Sequence, residues 1–449
     1  MQLDDRPPST SFPAGSLLPS DSGYDDARLS FNGMLDKRPQ VIVPCATTEQ
    51  VVAAVRAARD ADLPIAVRGG GHSVAGHGVA DGSLVVHLGG MRTVTVDPGQ
   101  RLATAGGGSQ WLDVDTATTA HGLAVPGGTF IDTGIGGLTL GGGLGWLMPV
   151  AGLTCDNLVE AEVVTAGGSV VIAGEDGDPE LLWALRGGGG NFGVVTRFTY
   201  RLTPLRPIVG GRIRYHISAA RDLVARVQEV VADYPTALMP VLTARRDPDL
   251  GEIVGILFGI VDGSDPAPIL ARLRDGLPLR TDEVATRSYP DMQAFSGLLP
   301  FGLRHYWKGH FLRDLDGDLF EALAREAVAD DAIESSFVMI EGLTGAGRSE
   351  PEGGAAFGQR AARWNASGLA VWTDPADDAA AVGWARRVAS LLESASLTGA
   401  GYVNYSPADE TAERVQAAYG NERWERLVAV KRRYDPDNVF RFNHNIRPD

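Results

Sequence analysis

Residues 64–73 read Pro64-Ile65-Ala66-Val67-Arg68-Gly69-Gly70-Gly71-His72-Ser73. The apolar, partly β-branched start predicts a short buried strand. Three glycines follow at once, and a second strand signal, Ser83-Leu84-Val85-Val86-His87-Leu88, closes the unit. Successive glycines permit positive φ and let backbone amides approach a ligand with no Cβ in the way. Such a turn makes a nest of N–H groups suited to a diphosphate, with the His72 imidazole at its lip. From spacing alone, an ordinary tight turn with an incidental histidine reads equally well.

Working outward, Val41-Ile42-Val43-Pro44 is a strand, and Thr47 or Thr48 caps a helix through Val51 to Ala58. Strand, helix, strand, glycine turn and strand make an α/β beginning. Short strands at Thr93–Val96 and Leu102–Ala105 and a helix from Trp111 to Ala120 follow. A second glycine system runs through Gly127-Gly128-Thr129, Gly134, Gly136-Gly137 and Gly141-Gly142-Gly143-Leu144-Gly145. More than half of the 57 glycines precede residue 210, so the first half is expected to wrap its backbone around something. Gly152-Leu153-Thr154-Cys155-Asp156-Asn157-Leu158 leads into a strand over 160–166 and a hairpin turn at Gly167-Gly168. In isolation Cys155 reads as a small buried hydrophobe.

Gly188-Gly189-Gly190-Asn191-Phe192-Gly193 matches the pattern G-x-G-x-x-G, but a helix (Glu180–Leu185) precedes it and a strand (Val194–Tyr200) follows. A nicotinamide site needs the reverse order, so that reading is rejected. Beyond Leu205-Arg206-Pro207 the texture becomes glycine-poorer. Alternating strands (Arg212–Ile217, Glu252–Val261, Ser336–Glu341, Leu369–Thr373) mix with amphipathic helices (Ala219–Ala232, Pro266–Leu277, Asp318–Asp330, Asp378–Ser394), an α+β pattern with an antiparallel sheet.

The chain's 449 residues suffice for two or three domains with a large core. Its 44% hydrophobic and 21% charged residues are ordinary for a soluble protein. A net charge of −16 without a basic cluster argues against nucleic acid or an anionic membrane as partner. Only Cys45 and Cys155 occur, which excludes a disulfide framework. The start, Met1 to Pro8, lacks a basic and an apolar leader region, and no apolar run approaches the roughly 20 residues of a membrane span. A cytoplasmic location is expected. His72 with His77 and His305 with His310 lack the helical spacing of a zinc site, so no metal is expected.

Together these motifs resemble the berberine-bridge-enzyme-like branch of the vanillyl-alcohol-oxidase (p-cresol methylhydroxylase, PCMH) flavoprotein family. They comprise the RGGGHS turn, GLTLGGGLGW over 137–146, GLTCDNL over 152–158, RGGGGNFGVVT over 186–196, and Asn404-Tyr405 followed by Tyr434-Asp435-Pro436-Asp437-Asn438. The similarity runs from Val41 to Ile446. It implies an α+β fold: a flexible arm (1–30), a PCMH-type FAD domain of two α/β subdomains (31–207), a substrate domain with a helix-covered antiparallel sheet (208–400), and a terminal segment (401–449) that completes the FAD domain. It implies FAD bonded twice, through its 8α-methyl to His72 and through C6 to Cys155. The cofactor contacts it implies are Arg68, Gly69, Gly70, Gly71, Ser73, Gly128, Thr129, Thr133, Gly136, Gly137, Gly142, Gly143, Gly145, Asn157, Val164, Asn443 and Asn445, with His444 beside the last two.

The resemblance also assigns the catalytic base to Tyr405, the control of oxygen access to Ile135, and the substrate pocket to Gln359 and Trp364. These two stand where many relatives carry a histidine and a tyrosine. A free phenol titrates near pH 10, so a phenolate at neutral pH would need about 3–4 kcal/mol of stabilisation. Arg304, Lys308 and Arg348 are the candidate sources. The implied reaction is hydride removal from a C–H beside a hydroxyl or amine of a sugar, alcohol or natural product, to flavin N5 and then to O2, giving H2O2. A dehydrogenase with another acceptor, and oxidative cyclisation or desaturation, are the alternatives.

Overall fold

The computed structural model describes residues 12–297, 300–333 and 335–449. Residues 1–11 of the expected arm lie outside that description, but from residue 12 on the arm is not loose. Leu17 exchanges backbone hydrogen bonds with Ile42 at 2.8 and 2.9 Å. The buried Tyr24, in the short helix Tyr24–Arg28, donates its hydroxyl to Pro39 O at 2.5 Å. Burying the Tyr24 ring and pairing the Leu17 backbone with Ile42 outweighs the Pro/Ser-rich composition that predicts a free tail.

The opening unit forms a parallel sheet in the order Val41–Pro44, Leu84–His87, Ile65–Arg68. Helix Thr48–Asp60 starts with a capping box in which Thr47 and Gln50 satisfy each other's backbone N–H. It buries Val51, Ala54, Val55 and Ala58, a single stripe at helical spacing. The second subdomain is a five-stranded antiparallel sheet in the order Val94–Asp97, Leu102–Gly106, Val194–Arg201, Leu158–Val164, Val170–Gly174. Helices Trp111–Thr119 and Pro179–Leu185 cover it, burying Trp111, Val114, Leu181 and Leu185.

The third sheet has eight antiparallel strands. Its path is Leu279–Asp282, Ile208–His216, Gly251–Ile260, Leu238–Asp247, Phe337–Gly342, Trp364–Trp372, Arg304–Leu312, with Ala285–Arg287 also paired to Ile208–His216. Four of these strands escape sequence reading: the short Leu279–Asp282 and Ala285–Arg287, and the long Leu238–Asp247 and Arg304–Leu312. Leu238–Asp247 carries Pro240, ordinarily excluded from a central strand. Its pairing with Phe337–Gly342 begins only at Val241, so the missing N–H faces no partner on that side. Arg304–Leu312 hides behind charged residues that the fold satisfies, Arg304 on Asp378 and Lys308 on Glu410.

Four helices (Ala220–Asp233, Pro266–Arg274, Gly317–Ala327, Asp378–Leu392) pack one face of this sheet into the largest apolar core. The other face looks toward the glycine-rich half. The terminal helix Asn421–Tyr434 lies against Pro179–Leu185. There, fully buried Lys431 bonds Asp435 at 2.6 Å, Asn191 O at 2.8 Å and Phe440 O at 2.9 Å. This buried pair ties the 188–193 glycine loop to the tail and holds Asn443 and His444 at the cavity described below. Among the described residues, no helix is long and apolar enough to cross a membrane.

Candidate active site

The principal cavity lies between the two glycine-rich subdomains and the free face of the eight-stranded sheet. Arg68, Gly69, Gly70, Gly71, His72 and Ser73 line it, with Gly128, Thr129, Phe130, Thr133, Gly136, Gly137 and Asn443. The glycines are required by close approach. A Cβ on Gly70 would stand 2.5 Å from the Gly134 Cα, so the two turns interlock, and Gly71 sits at φ +74° over the Arg68 guanidinium. A Cβ on Gly137 would meet nothing within 4 Å: here the backbone borders open space. His72 Nε2, His77 Nε2 and Asn443 Oδ1 are buried at this wall without a hydrogen-bond partner among the described residues. A glycine cradle with unspent polar atoms fits a dinucleotide such as FAD.

The His72 imidazole ends a stack of three rings with Phe31 in the middle. It stacks on Phe31 at 4.0 Å, and Phe31 stacks on His305 at 4.3 Å. Burial pushes the His72 pKa down, against the opposing pull of Asp132, so the ring is held neutral and its lone pair is available.

The sheet supplies the opposite wall. Trp307, Met339 and Leu369 project to the cavity, joined by Tyr402, Asn404 and Tyr405 from the segment after the sheet. Behind them, Glu341 is 1% exposed. It stands directly across the strand pair from Asn365. Asn365 Nδ2 donates to Glu341 Oε2 at 2.8 Å, and the Tyr405 hydroxyl donates to Oε1 at 3.1 Å. Burial pushes the Glu341 carboxyl up to about 7, with the two donors holding it back from rising further.

This geometry revises the expectation for Tyr405. It lies on the cavity wall, as expected, but burial and the neighbouring carboxylate drive its phenol well above 10, not below. None of the three proposed cations reaches it: Arg304 is on Asp378, Lys308 on Glu410, and Arg348 lines a separate cavity. Tyr405 therefore donates to Glu341 as a neutral phenol, and of the two groups it is Glu341 whose proton affinity is pushed up to about 7.

Several other expected contacts are elsewhere. Cys155 is fully buried and absent from the cavity wall. It packs with Trp146, Met148 and Phe357, donates from Sγ to Asp156 Oδ1 at 3.6 Å, and has its thiol pushed well up by burial. The bidentate pair of Asp156 with Arg360 anchors the loop that carries Cys155.

Trp364 faces the helix-covered core, one residue out of phase with Asn365. Gln359 spends its amide on Ala418 O at 2.7 Å. Ile135 is buried with Trp111 and Phe198, while its glycine neighbours line the cavity. Gly143 and Gly145 serve packing: a Cβ would meet Thr154 Oγ1 at 2.1 Å and Gly127 O at 1.8 Å respectively. Gly142 lies against Phe357, Asn157 bonds Ala151 O and Leu153 O, and Val164 belongs to the first sheet's core. Asn445 is not on the wall. Sequence reasoning missed Glu341, Asn365, Asp132, Phe31 and Phe130. The one legible signal was Glu341, a lone carboxylate ending the apolar run Phe337–Ile340.

Comparison with known proteins shows an FAD-binding chain. Residues 39–174 match the FAD binding domain family, and residues 401–447 match the berberine and berberine-like family. The chain is 33% identical to (R)-6-hydroxynicotine oxidase of Paenarthrobacter nicotinovorans, covering 96% of each chain. It is 30% identical to an uncharacterized FAD-linked oxidoreductase of Bacillus subtilis, covering 95% of each. The crystal structure of 6-hydroxy-D-nicotine oxidase from Arthrobacter nicotinovorans superposes over 100% of both chains with a TM-score of 0.88 at 31% identity. Berberine bridge enzyme from Eschscholzia californica shares the fold, with a TM-score of 0.86 at 20% identity over 97% of each chain. The chain belongs to the berberine-bridge-enzyme-like FAD-linked oxidoreductases.

Proposed function

We propose that this enzyme is an oxidase that takes a hydride from a C–H beside a hydroxyl or amine of a small molecule, with O2 as the final acceptor and H2O2 as product. Bound FAD supplies the hydride acceptor, and the protein tunes and orients it. The glycine turns hold the dinucleotide, with His72 as its single covalent anchor, while Cys155 stays a free buried thiol. Trp307, Met339, Leu369 and Tyr402 bound the substrate and keep water from it. Tyr405 presents its hydroxyl to the substrate, and Glu341, behind it, accepts the proton released as the C–H bond is oxidised. The observation that carries this reading is the Tyr405–Glu341–Asn365 chain of hydrogen bonds facing the glycine cradle.

The experiment has two readouts. Acid precipitation of the purified protein is expected to leave a yellow pellet, with digestion placing flavin on the His72 peptide and leaving the Cys155 peptide unmodified. Anaerobic mixing with small amines and alcohols, (R)-6-hydroxynicotine first, is expected to bleach the flavin, and air to restore it within seconds with stoichiometric peroxide. Reoxidation that takes many minutes would instead make it a dehydrogenase with another acceptor.

A further inference from the structure

At the lip of the cavity His72 is clamped by rings but left without a hydrogen-bond partner at one nitrogen. Phe31 covers one face, and Phe301 meets it edge-on at 6.0 Å. Its Nε2 faces Asp132 Oδ1 at 3.8 Å, the side chains being 11% and 26% exposed. Both atoms are buried, and neither has another partner among the described residues. Two complementary orphans that a side-chain shift of about 1 Å would join form a donor–acceptor pair held just short of bonding. Asp132 sits between Phe130 and Thr133, both on the cavity wall, and its partial exposure gives a proton a way out. His305, on the far side of Phe31, is no alternative base: the intervening ring blocks it, and burial holds its pKa down at about 3.

We propose that Asp132 is the base that lets His72 attach itself to FAD. This rests on the reading of His72 as the covalent anchor and adds the residue that makes the bond form. Asp132 accepts the Nε2 proton, and the lone pair of the other ring nitrogen forms the bond to the 8α carbon. One C–H bond at that carbon breaks, and its proton leaves. The electron pair enters the flavin, which ends two-electron reduced, and dioxygen then takes the pair as hydrogen peroxide. Atoms and charge balance with dioxygen as the only co-reactant.

The test compares the purified full-length protein with Asp132→Asn, Asp132→Glu and His72→Ala, measuring total bound FAD by absorbance and the covalent share by acid precipitation. Asp132→Asn keeps size and shape at a half-buried position. It is expected to retain FAD but to lower the covalent share about tenfold or more, the scale of a lost general base. Asp132→Glu is expected to restore attachment, which a purely structural role would not predict. An Asp132→Asn protein that attaches FAD as fully and as fast as the wild type overturns the proposal while leaving His72 as the anchor. So does one that binds no FAD when His72→Ala still binds it, because Asp132 would then serve binding. If wild-type flavin is released by acid, the anchor reading fails first, and this proposal with it.

Discussion

The two faces of the eight-stranded sheet are built from the same strands in the same register, yet they do opposite work. In Phe337–Gly342, Val338 and Ile340 enter the helix-covered core while Met339 and Glu341 share the opposite face, Met339 on the cavity wall and Glu341 behind it. In Trp364–Trp372, Trp364, Ala366 and Ala370 face the helices, and Asn365 and Leu369 share the opposite face, Leu369 on the cavity wall and Asn365 behind it on Glu341. A one-residue slip would exchange the two sets. The helix face is almost wholly apolar and supplies stability. The cavity face gives up apolar burial at Glu341 and Asn365 and gains a titratable pair. The chemistry of a residue here is decided by its parity in the strand before its type.

The largest effect that would sharpen this contrast is on the helix face. Trp364→Ala should cost about 3–5 kcal/mol of folding stability, measured by denaturant unfolding, while flavin reduction per folded molecule stays within about twofold. A rate collapse with intact folding would instead put Trp364 in the substrate pocket. On the cavity face the pattern reverses. Glu341→Gln should slow flavin reduction by about 10²-fold or more, near 3 kcal/mol of barrier.

Its effect on stability also has a defined sign. The folded Glu341 holds its proton up to about pH 7, against an ordinary value of 4.5. Stability present below the unfolded value is therefore lost as pH rises through about 7, on the scale of 3 kcal/mol. Glu341→Gln should be more stable than the wild type at pH 8 and close to it at pH 4; a variant less stable at both would mean the carboxylate is structural. Smaller still, Tyr405→Phe removes one hydrogen bond to that carboxylate and should cost about tenfold in rate, or 1–2 kcal/mol. A loss matching that of Glu341→Gln would return the base to the tyrosine.

What the sequence revealed follows from how local each signal is. The turn from Arg68 to Ser73 was legible because strand, glycines and histidine are contiguous, and its residues line the cavity. The Phe337–Gly342 strand was legible for the same reason. Its role was not, because Glu341 meets Asn365 24 positions away and Tyr405 64 positions away, through strand register and a returning tail. Cys155 drew its reading as a second anchor from a loop that follows the glycine system directly, and its burial off the cavity wall was not legible. The contact that anchors that loop, Asp156 with Arg360, spans 204 positions. The glycines at 141–145 looked like a cradle, yet Gly143 and Gly145 are fixed by backbone packing on Thr154 and Gly127. Glycine runs report close approach, and only the fold says whether to a ligand or to the chain itself.

The most direct test of the claim that Glu341 is the proton acceptor is the pH dependence of anaerobic flavin reduction in wild type and Glu341→Gln, using whichever probe reduces the flavin. The wild-type rate should rise about tenfold per pH unit below about 7 and level off above it, and the Glu341→Gln rate should be low and lack that inflection. An inflection near 7 that persists in Glu341→Gln, or a rate that keeps climbing toward pH 10, would contradict it.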